Sequence, residues 1–115
     1  WTEDLHNEFR KADVFCITSL EEPFGLIIGE AMMSGLPVIS TQTDGAIEIF
    51  GTEPEKKGAI YVDFSSPDEI KNAIQALIND EKRLLLAQNA HDNINTNFSL
   101  ERLSRKLKDL FEYAD

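Results

Sequence analysis

Two glutamates, Glu22 and Glu30, stand eight positions apart and bracket Pro23-Phe24-Gly25-Leu26-Ile27-Ile28-Gly29. A carboxylate accepts several hydrogen bonds and fits a pair of neighbouring hydroxyls, the arrangement found in a sugar diol. Pro23, Phe24 and Gly25 form a turn that opens an apolar helix, so the amides of Leu26 and Ile27 fall in its first turn. The free N–H groups and partial positive charge of a helix start suit a phosphate. Gly25 has no side chain, which lets ligand atoms approach the backbone. At 1.5 Å per residue, Glu30 lies about 6 Å along the axis from Leu26. One carboxylate for a sugar, amides for phosphate and a second carboxylate for a ribose together describe the chemistry of a nucleotide sugar. The same spacing also suits two solvated glutamates in a chain with 21 acidic residues.

The flanking elements must hold this segment in place. Thr2 reads as a helix cap, and Leu5, Phe9 and Ala12 follow at helical spacing. Val14-Phe15-Cys16-Ile17-Thr18 is continuously apolar and partly β-branched, which predicts a strand covered on both faces, with Cys16 buried as packing. Ser19 to Gly25 is the loop, and the helix runs from Gly25 or Leu26 to about Ser34. Gly35 is placed for a left-handed cap, and Pro37 prevents continuation. Gly29 inside this helix reflects either close packing or simple tolerance. Pro37 to Thr41 reads as a second buried strand, Ala46 to Phe50 as a short helix, Gly51 to Gly58 as a charged loop and Ala59 to Val62 as a third strand. Ser66-Pro67-Asp68-Glu69 then opens a helix with a capping box, and Ile70, Ala73, Ile74, Leu77 and Ile78 form its apolar stripe. Asp80 is read as the cap of a helix carrying Leu84, Leu85 and Ala87 and ending near Asn95. Ser99 caps a last helix with Leu103, Leu107, Leu110 and Phe111. Alternating helices and strands predict an α/β fold with parallel strands and right-handed crossovers. In such sheets, ligands bind beyond the carboxyl ends of the strands, where the Ser19–Gly25 loop lies.

Composition narrows the function classes. The chain has 115 residues, 42% hydrophobic and 28% charged, enough for one modest core. Its net charge of −10 argues against a nucleic-acid reader or a polybasic membrane anchor, since both need positive fields. A single cysteine excludes an internal disulfide. No apolar run approaches the roughly 20 residues of a membrane span, and no leader pattern opens the chain, so a cytoplasmic location is expected.

Further residues make the pattern specific. Ala12-Asp13-Val14-Phe15, Ser19-Leu20-Glu21-Glu22-Pro23-Phe24-Gly25-Leu26, Glu30-Ala31-Met32, Gly35-Leu36-Pro37-Val38-Ile39 and Gly45-Ala46-Ile47-Glu48 occur in this order. Together they resemble the C-terminal domain of retaining family 4 (group 1) glycosyltransferases, which have the GT-B fold, and the similarity runs through nearly the whole chain. The resemblance implies a Rossmann-like half domain in three layers, with three parallel strands corresponding to strands 4, 5 and 6 of that domain. Residues 1–115 would form a single partial domain. It implies that Glu22 binds donor-sugar hydroxyls near the reacting centre, that backbone around Phe24 and Gly25 faces that sugar, that the Leu26 and Ile27 amides hold the diphosphate, and that Glu30 binds the ribose. It implies a UDP-, GDP- or ADP-sugar donor, a carbohydrate or lipid-linked acceptor, transfer with retention, no metal and no further cofactor. Peripheral association of the parent with the inner membrane face also fits it.

Some positions depart from the family. Asp44-Gly45 stands where two glycines are common, and Asp44 either caps the following helix or crowds the donor pocket. Gly29 replaces a larger apolar residue. Glu48 matches in position, with a local structural role as open as a functional one. The acceptor domain and the first half of the donor domain have no counterpart in these residues, which reads as a fragment, inactive in isolation. Its Val14–Thr18 strand would leave an exposed apolar edge able to pair with a second copy. The competing reading is a non-catalytic α/β interaction module.

Overall fold

A computed structural model of the chain describes residues 5–23, 25–98 and 105. The expected Thr2 cap, the position of Phe24 and the expected final helix from Ser99 lie outside the described residues. Among the described residues the elements run α1 (Leu5–Lys11), β1 (Phe15–Ile17), α2 (Leu26–Met33), β2 (Val38–Ser40), α3 (Asp44–Phe50), α4 (Pro54–Lys57), β3 (Ala59–Tyr61), α5 (Pro67–Ile78) and α6 (Asp80–Asn97), in the anticipated order but for α4. The three strands form one parallel sheet in the order β1-β2-β3, with Cys16 level with Ile39 and Ile39 level with Ile60.

Side chains alternate across this sheet because successive strand residues point to opposite faces. Phe15, Ile17, Val38, Ala59 and Tyr61 meet Ile28 and Met32 of α2, Ile49 and Phe50 of α3, and Ala90 and Ile94 of α6. Ile39 and Ile60 meet Ala73 and Leu77 of α5 and Leu86 of α6 on the other face. Helix α1 packs Phe9 against Ala31 and Leu36 beside α2, with Phe9 and Phe15 rings edge to face at 5.6 Å. Helices therefore lie on both faces, giving three layers.

The termini of the helices follow local chemistry. Helix α2 ends in a Schellman motif: Gly35 takes φ +83°, its N–H donates to Met32 O at 3.0 Å, and Leu36 N–H donates to Ala31 O at 3.2 Å. Ser66 Oγ accepts from Glu69 N–H at 3.3 Å, with Pro67 at the start of α5. The Ser66 N–H itself donates to Asp63 O, in place of the return bond of a capping box.

Five expectations are corrected. Cys16 is exposed on β1, which lies at the edge of the described sheet, although Val14 on the same face packs against the α5 cluster. Leu84 and Leu85 are exposed, and the buried stripe of α6 runs through Leu86, Ala90, Asn93 and Ile94. Ile74 and Ile78 likewise face outward, leaving Ala73 and Leu77 as the buried positions of α5. The charged Gly51–Gly58 loop contains a helix, α4, with Pro54 at its start and Gly58 at φ +101° at its end. Asn79, not Asp80, caps α6: its Oδ1 accepts from Lys82 N–H at 2.9 Å, and Asp80 occupies the first turn.

Asn93 ties α6 to the segment carrying α3 and α4. Its buried Nδ2 donates to Ile49 O at 3.1 Å and to Lys57 O at 3.2 Å, satisfying carbonyls at the ends of both helices. Asn93→Leu would leave those carbonyls without a donor. The expected loss is about 1–3 kcal/mol, read as a lower urea midpoint.

Candidate functional site

The loop after β1 is held by backbone contacts more than by side chains. Gly25 caps α2 in a left-handed conformation (φ +66°, ψ +21°), where its lack of a Cβ avoids strain. The Gly25 N–H donates to Glu22 Oε1 at 3.3 Å, so the half-buried Glu22 carboxylate braces its own turn. The Glu22 carbonyl accepts from Gly45 N–H at 2.7 Å. A Cβ on Gly45 would stand 2.7 Å from Gly25 N and closer still to Glu22 O. A Cβ on Gly25 would stand 2.6 Å from Ile49 Cδ1 and 3.3 Å from Gly45 O. The start of α3 is thus pressed against residues 22 and 25, glycine against glycine.

Helix α3 is fixed in turn by Thr43. This buried threonine accepts from Ala46 N–H through Oγ1 at 3.2 Å, and its own N–H donates to Thr41 O at 3.0 Å. Thr43 is therefore the cap, and Asp44 takes the first helical position, where a carboxylate favours the helix dipole. Asp44 is exposed and lines a cleft of about 360 Å³ together with Glu21, Glu22, Pro23, Leu20 and Gln42. That resolves the choice left open for Asp44: it stands at the cleft, and the capping role belongs to its neighbour.

Of the other anticipated residues, Gly25 is buried, Leu26 and Ile27 are half-buried in the first turn of α2, and Glu30 is exposed one turn further along. Gly29 is buried, and its N–H donates to Gly25 O at 2.9 Å, opening the helical ladder. Glu48 is exposed on α3. Gly45 and Thr43 were missed as parts of the site. A threonine followed by an acidic first turn is a cap signal and could have marked Thr43. The contact of Gly45 with residues 22 and 25 joins segments distant in sequence and has no local signal.

A second cleft, of about 440 Å³, adjoins the first and shares Leu20, Gln42 and Thr43 with it. It lies beyond the carboxyl ends of all three strands and is further lined by Tyr61, Asp63, Phe64 and Glu69. Its walls are braced: Thr41 Oγ1 donates to Ser19 O at 2.5 Å, and Tyr61 OH donates to Gly51 O at 2.8 Å. The hydroxyl and amide of Ser65 both donate to Asp63 Oδ1, at 2.6 and 2.8 Å, and hold that carboxyl below its ordinary range. A lowered folded-state value stabilises the fold above the unfolded-state value and loses that contribution as pH falls through the folded one. Ser65→Ala should return the Asp63 titration toward the ordinary range, as read by carboxyl NMR.

The model of the family described as "Glycosyl transferases group 1" matches residues 1–111. The chain belongs to this glycosyltransferase family. The D-inositol 3-phosphate glycosyltransferase of Corynebacterium kroppenstedtii is 35% identical over 113 residues, covering 97% of this chain and 24% of that protein. Spore coat protein SA of Bacillus subtilis is 30% identical over 112 residues, covering 96% of this chain and 29% of its own. Among solved structures, sucrose-phosphate synthase from Thermosynechococcus elongatus superposes with a TM-score of 0.74 at 27% identity, over 93% of this chain and 26% of that one. The Anabaena protein HepE, solved in complex with UDP, gives 0.77 at 25% identity, over 97% and 30%. These glycosyltransferase neighbours have the GT-B fold, and the three-stranded parallel α/β unit matches part of it. The chain spans about a quarter to a third of the length of these relatives.

Proposed function

We propose that this chain is the donor-binding portion of a longer glycosyltransferase that moves a sugar from a nucleotide sugar to a carbohydrate or lipid-linked acceptor, with retention of configuration. The observation that carries the reading is the braced Glu22–Gly25 turn, which delivers the start of α2 to the carboxyl end of β1. HepE, a structural neighbour, was solved with UDP, which supports a nucleotide diphosphate at the equivalent place. The Leu26 and Ile27 amides would hold the diphosphate of a UDP-, GDP- or ADP-sugar, and Glu30 would take the ribose hydroxyls. Glu22 would accept hydrogen bonds from the sugar, with Phe24 and Gly25 backbone beside it. Catalysis would rest on positioning and on stabilising the departing diphosphate, with no metal and no resident cofactor required from these residues.

In this reading the isolated chain binds donor on one wall only and is inactive, and the parent works in the cytoplasm or at the inner membrane face. Strand β1 pairs with β2 alone among the described strands, so its outer edge would pair with a second copy in the isolated chain. Sedimentation showing a stable monomer at high concentration would contradict that pairing. The site assignment is tested by kinetics of the full-length protein. Glu30→Gln should raise the donor KM about tenfold, as expected for losing a charged acceptor, and Glu22→Gln should chiefly lower turnover. Unchanged constants in both variants would remove the assignment.

A further inference from the structure

A third cleft, of about 250 Å³, lies between α4 and α6 beside the amino-terminal end of β3, away from the first two. Neither cleft beyond the carboxyl ends of the strands has a lysine or arginine in its lining. This one has Lys56 and Lys57 on its α4 wall, and its α6 wall carries Asp92. Carboxamides set the spacing of the two walls. Asn89 Nδ2 donates to Glu55 O at 3.0 Å, Asn93 Nδ2 to Lys57 O at 3.2 Å and Asn97 Nδ2 to Asn93 Oδ1 at 2.9 Å. Gly58 backs onto Ala90 too closely to admit a Cβ. Walls fixed in this way spare a ligand part of the cost of ordering its site.

The charges on the walls are not matched to each other. Lys56 pairs with Glu53 at 3.1 Å. Among the described residues, Lys57 and Asp92 form no ion pair, with each other or elsewhere, and Asp92 accepts from the neutral Gln88 Nε2 at 2.9 Å. A lysine in the last turn of a helix can serve the helix dipole alone. Here the carbonyls of Glu55 and Lys57 already accept from Asn89 and Asn93, which reduces that role. A simple anion would be drawn to Lys57 and repelled by Asp92, and a simple cation the reverse. A molecule that carries both signs answers both walls. The volume falls below the roughly 300–1,000 Å³ of drug-sized sites and suits a ligand of few atoms.

We propose that the cleft between α4 and α6 binds a small zwitterion in which a phosphate or carboxylate is joined to a primary ammonium. Its anionic end meets Lys57 and its ammonium meets Asp92. Such a group occurs as a free small molecule or as the headgroup of an aminophospholipid. The site is separate from the donor turn and does not depend on the glycosyltransferase reading.

NMR of the full-length protein, titrated with phosphoethanolamine and γ-aminobutyrate, tests it, with inorganic phosphate and ethanolamine as one-ended controls. At least one zwitterion should shift the Lys57 and Gly58 amides together with the Asn89 side-chain amide, and should bind about tenfold tighter than either control, the scale of one charge-assisted bond. Lys57→Gln should remove about the same factor. Asp92→Asn should weaken the zwitterion and tighten inorganic phosphate, a reversal that a merely structural role for Asp92 would not give. Vesicles of phosphatidylcholine with and without phosphatidylethanolamine separate the two sources. Sedimentation with the phosphatidylethanolamine vesicles alone, lost in Lys57→Gln, assigns a headgroup, and binding of the free zwitterions without vesicle binding assigns a soluble ligand. The proposal is overturned if neither the zwitterions nor the phosphatidylethanolamine vesicles bind, if inorganic phosphate binds as tightly as the zwitterions, or if Lys57→Gln and Asp92→Asn leave the affinities unchanged. UDP in the same samples reports the donor turn and should leave the Lys57 and Gly58 amides in place, so failure at this cleft would leave the donor reading standing.

Discussion

Gly45→Ala is expected to lower stability by about 1–3 kcal/mol, the usual range for overpacking a tight contact, and to weaken nucleotide-sugar binding at least tenfold. The methyl group would meet Glu22 O, Gly25 N and Gly25 Cα, all of them backbone atoms. Backbone cannot rotate away as the end of a side chain can, so the turn itself has to move. That movement would break the 2.7 Å bond from Gly45 N–H to Glu22 O and displace the cap of α2. Stability and donor affinity should therefore fall together. Thr43→Ala removes only the cap bond to Ala46 and should cost about 1 kcal/mol with a smaller effect on the donor. Chemical unfolding and calorimetric titration of both variants separate a moved turn from a weakened helix.

The second large effect is expected at Gly58→Ala. Gly58 follows α4 at φ +101° and sits against the middle of α6, where an added Cβ would come within 2.5 Å of Ala90 N and closer to its Cα and Cβ. A left-handed conformation costs a residue with a Cβ roughly 1–2 kcal/mol, and overpacking adds about 1–3 kcal/mol. The sum is a large part of the ~5–15 kcal/mol that holds a typical domain together. Adding Ala90→Gly would remove one of the clashing atoms and leave Ala90's backbone in place, so the double variant should recover only part of the loss. Full recovery would mean that the contact is softer than its geometry.

The two glycines mark what sequence could and could not disclose. Gly35 was legible as a helix stop because a cap is written in adjacent residues, and so was Ser66 ahead of Pro67 and Glu69. The parallel order of the three strands followed from the alternation of elements. Gly45 and Gly58 act through segments far away in the chain, and no local pattern carries that information. Leu84-Leu85-Leu86 shows the same limit: three adjacent leucines leave helical phase undetermined, and packing against α5 chose Leu86. Cys16 followed the strand pattern but not the burial pattern, because an apolar run does not say whether its strand is central or, like β1 among the described strands, at the edge. In the candidate site, the sequence singled out Glu22 as a carboxylate able to accept from hydroxyls, a role that stands as a proposal. Its bond to Gly25 N–H, which makes it also a brace, required the folded turn.

The central claim is that the start of α2 holds a nucleotide diphosphate. The most direct measurement is amide NMR of the full-length protein during titration with UDP, GDP and ADP. At least one nucleotide should shift the Gly25, Leu26 and Ile27 amides together, with Glu30 responding at the same concentrations and the remote Asn93 cluster unmoved. Saturable nucleotide binding that leaves the Gly25, Leu26 and Ile27 amides in place would contradict the account.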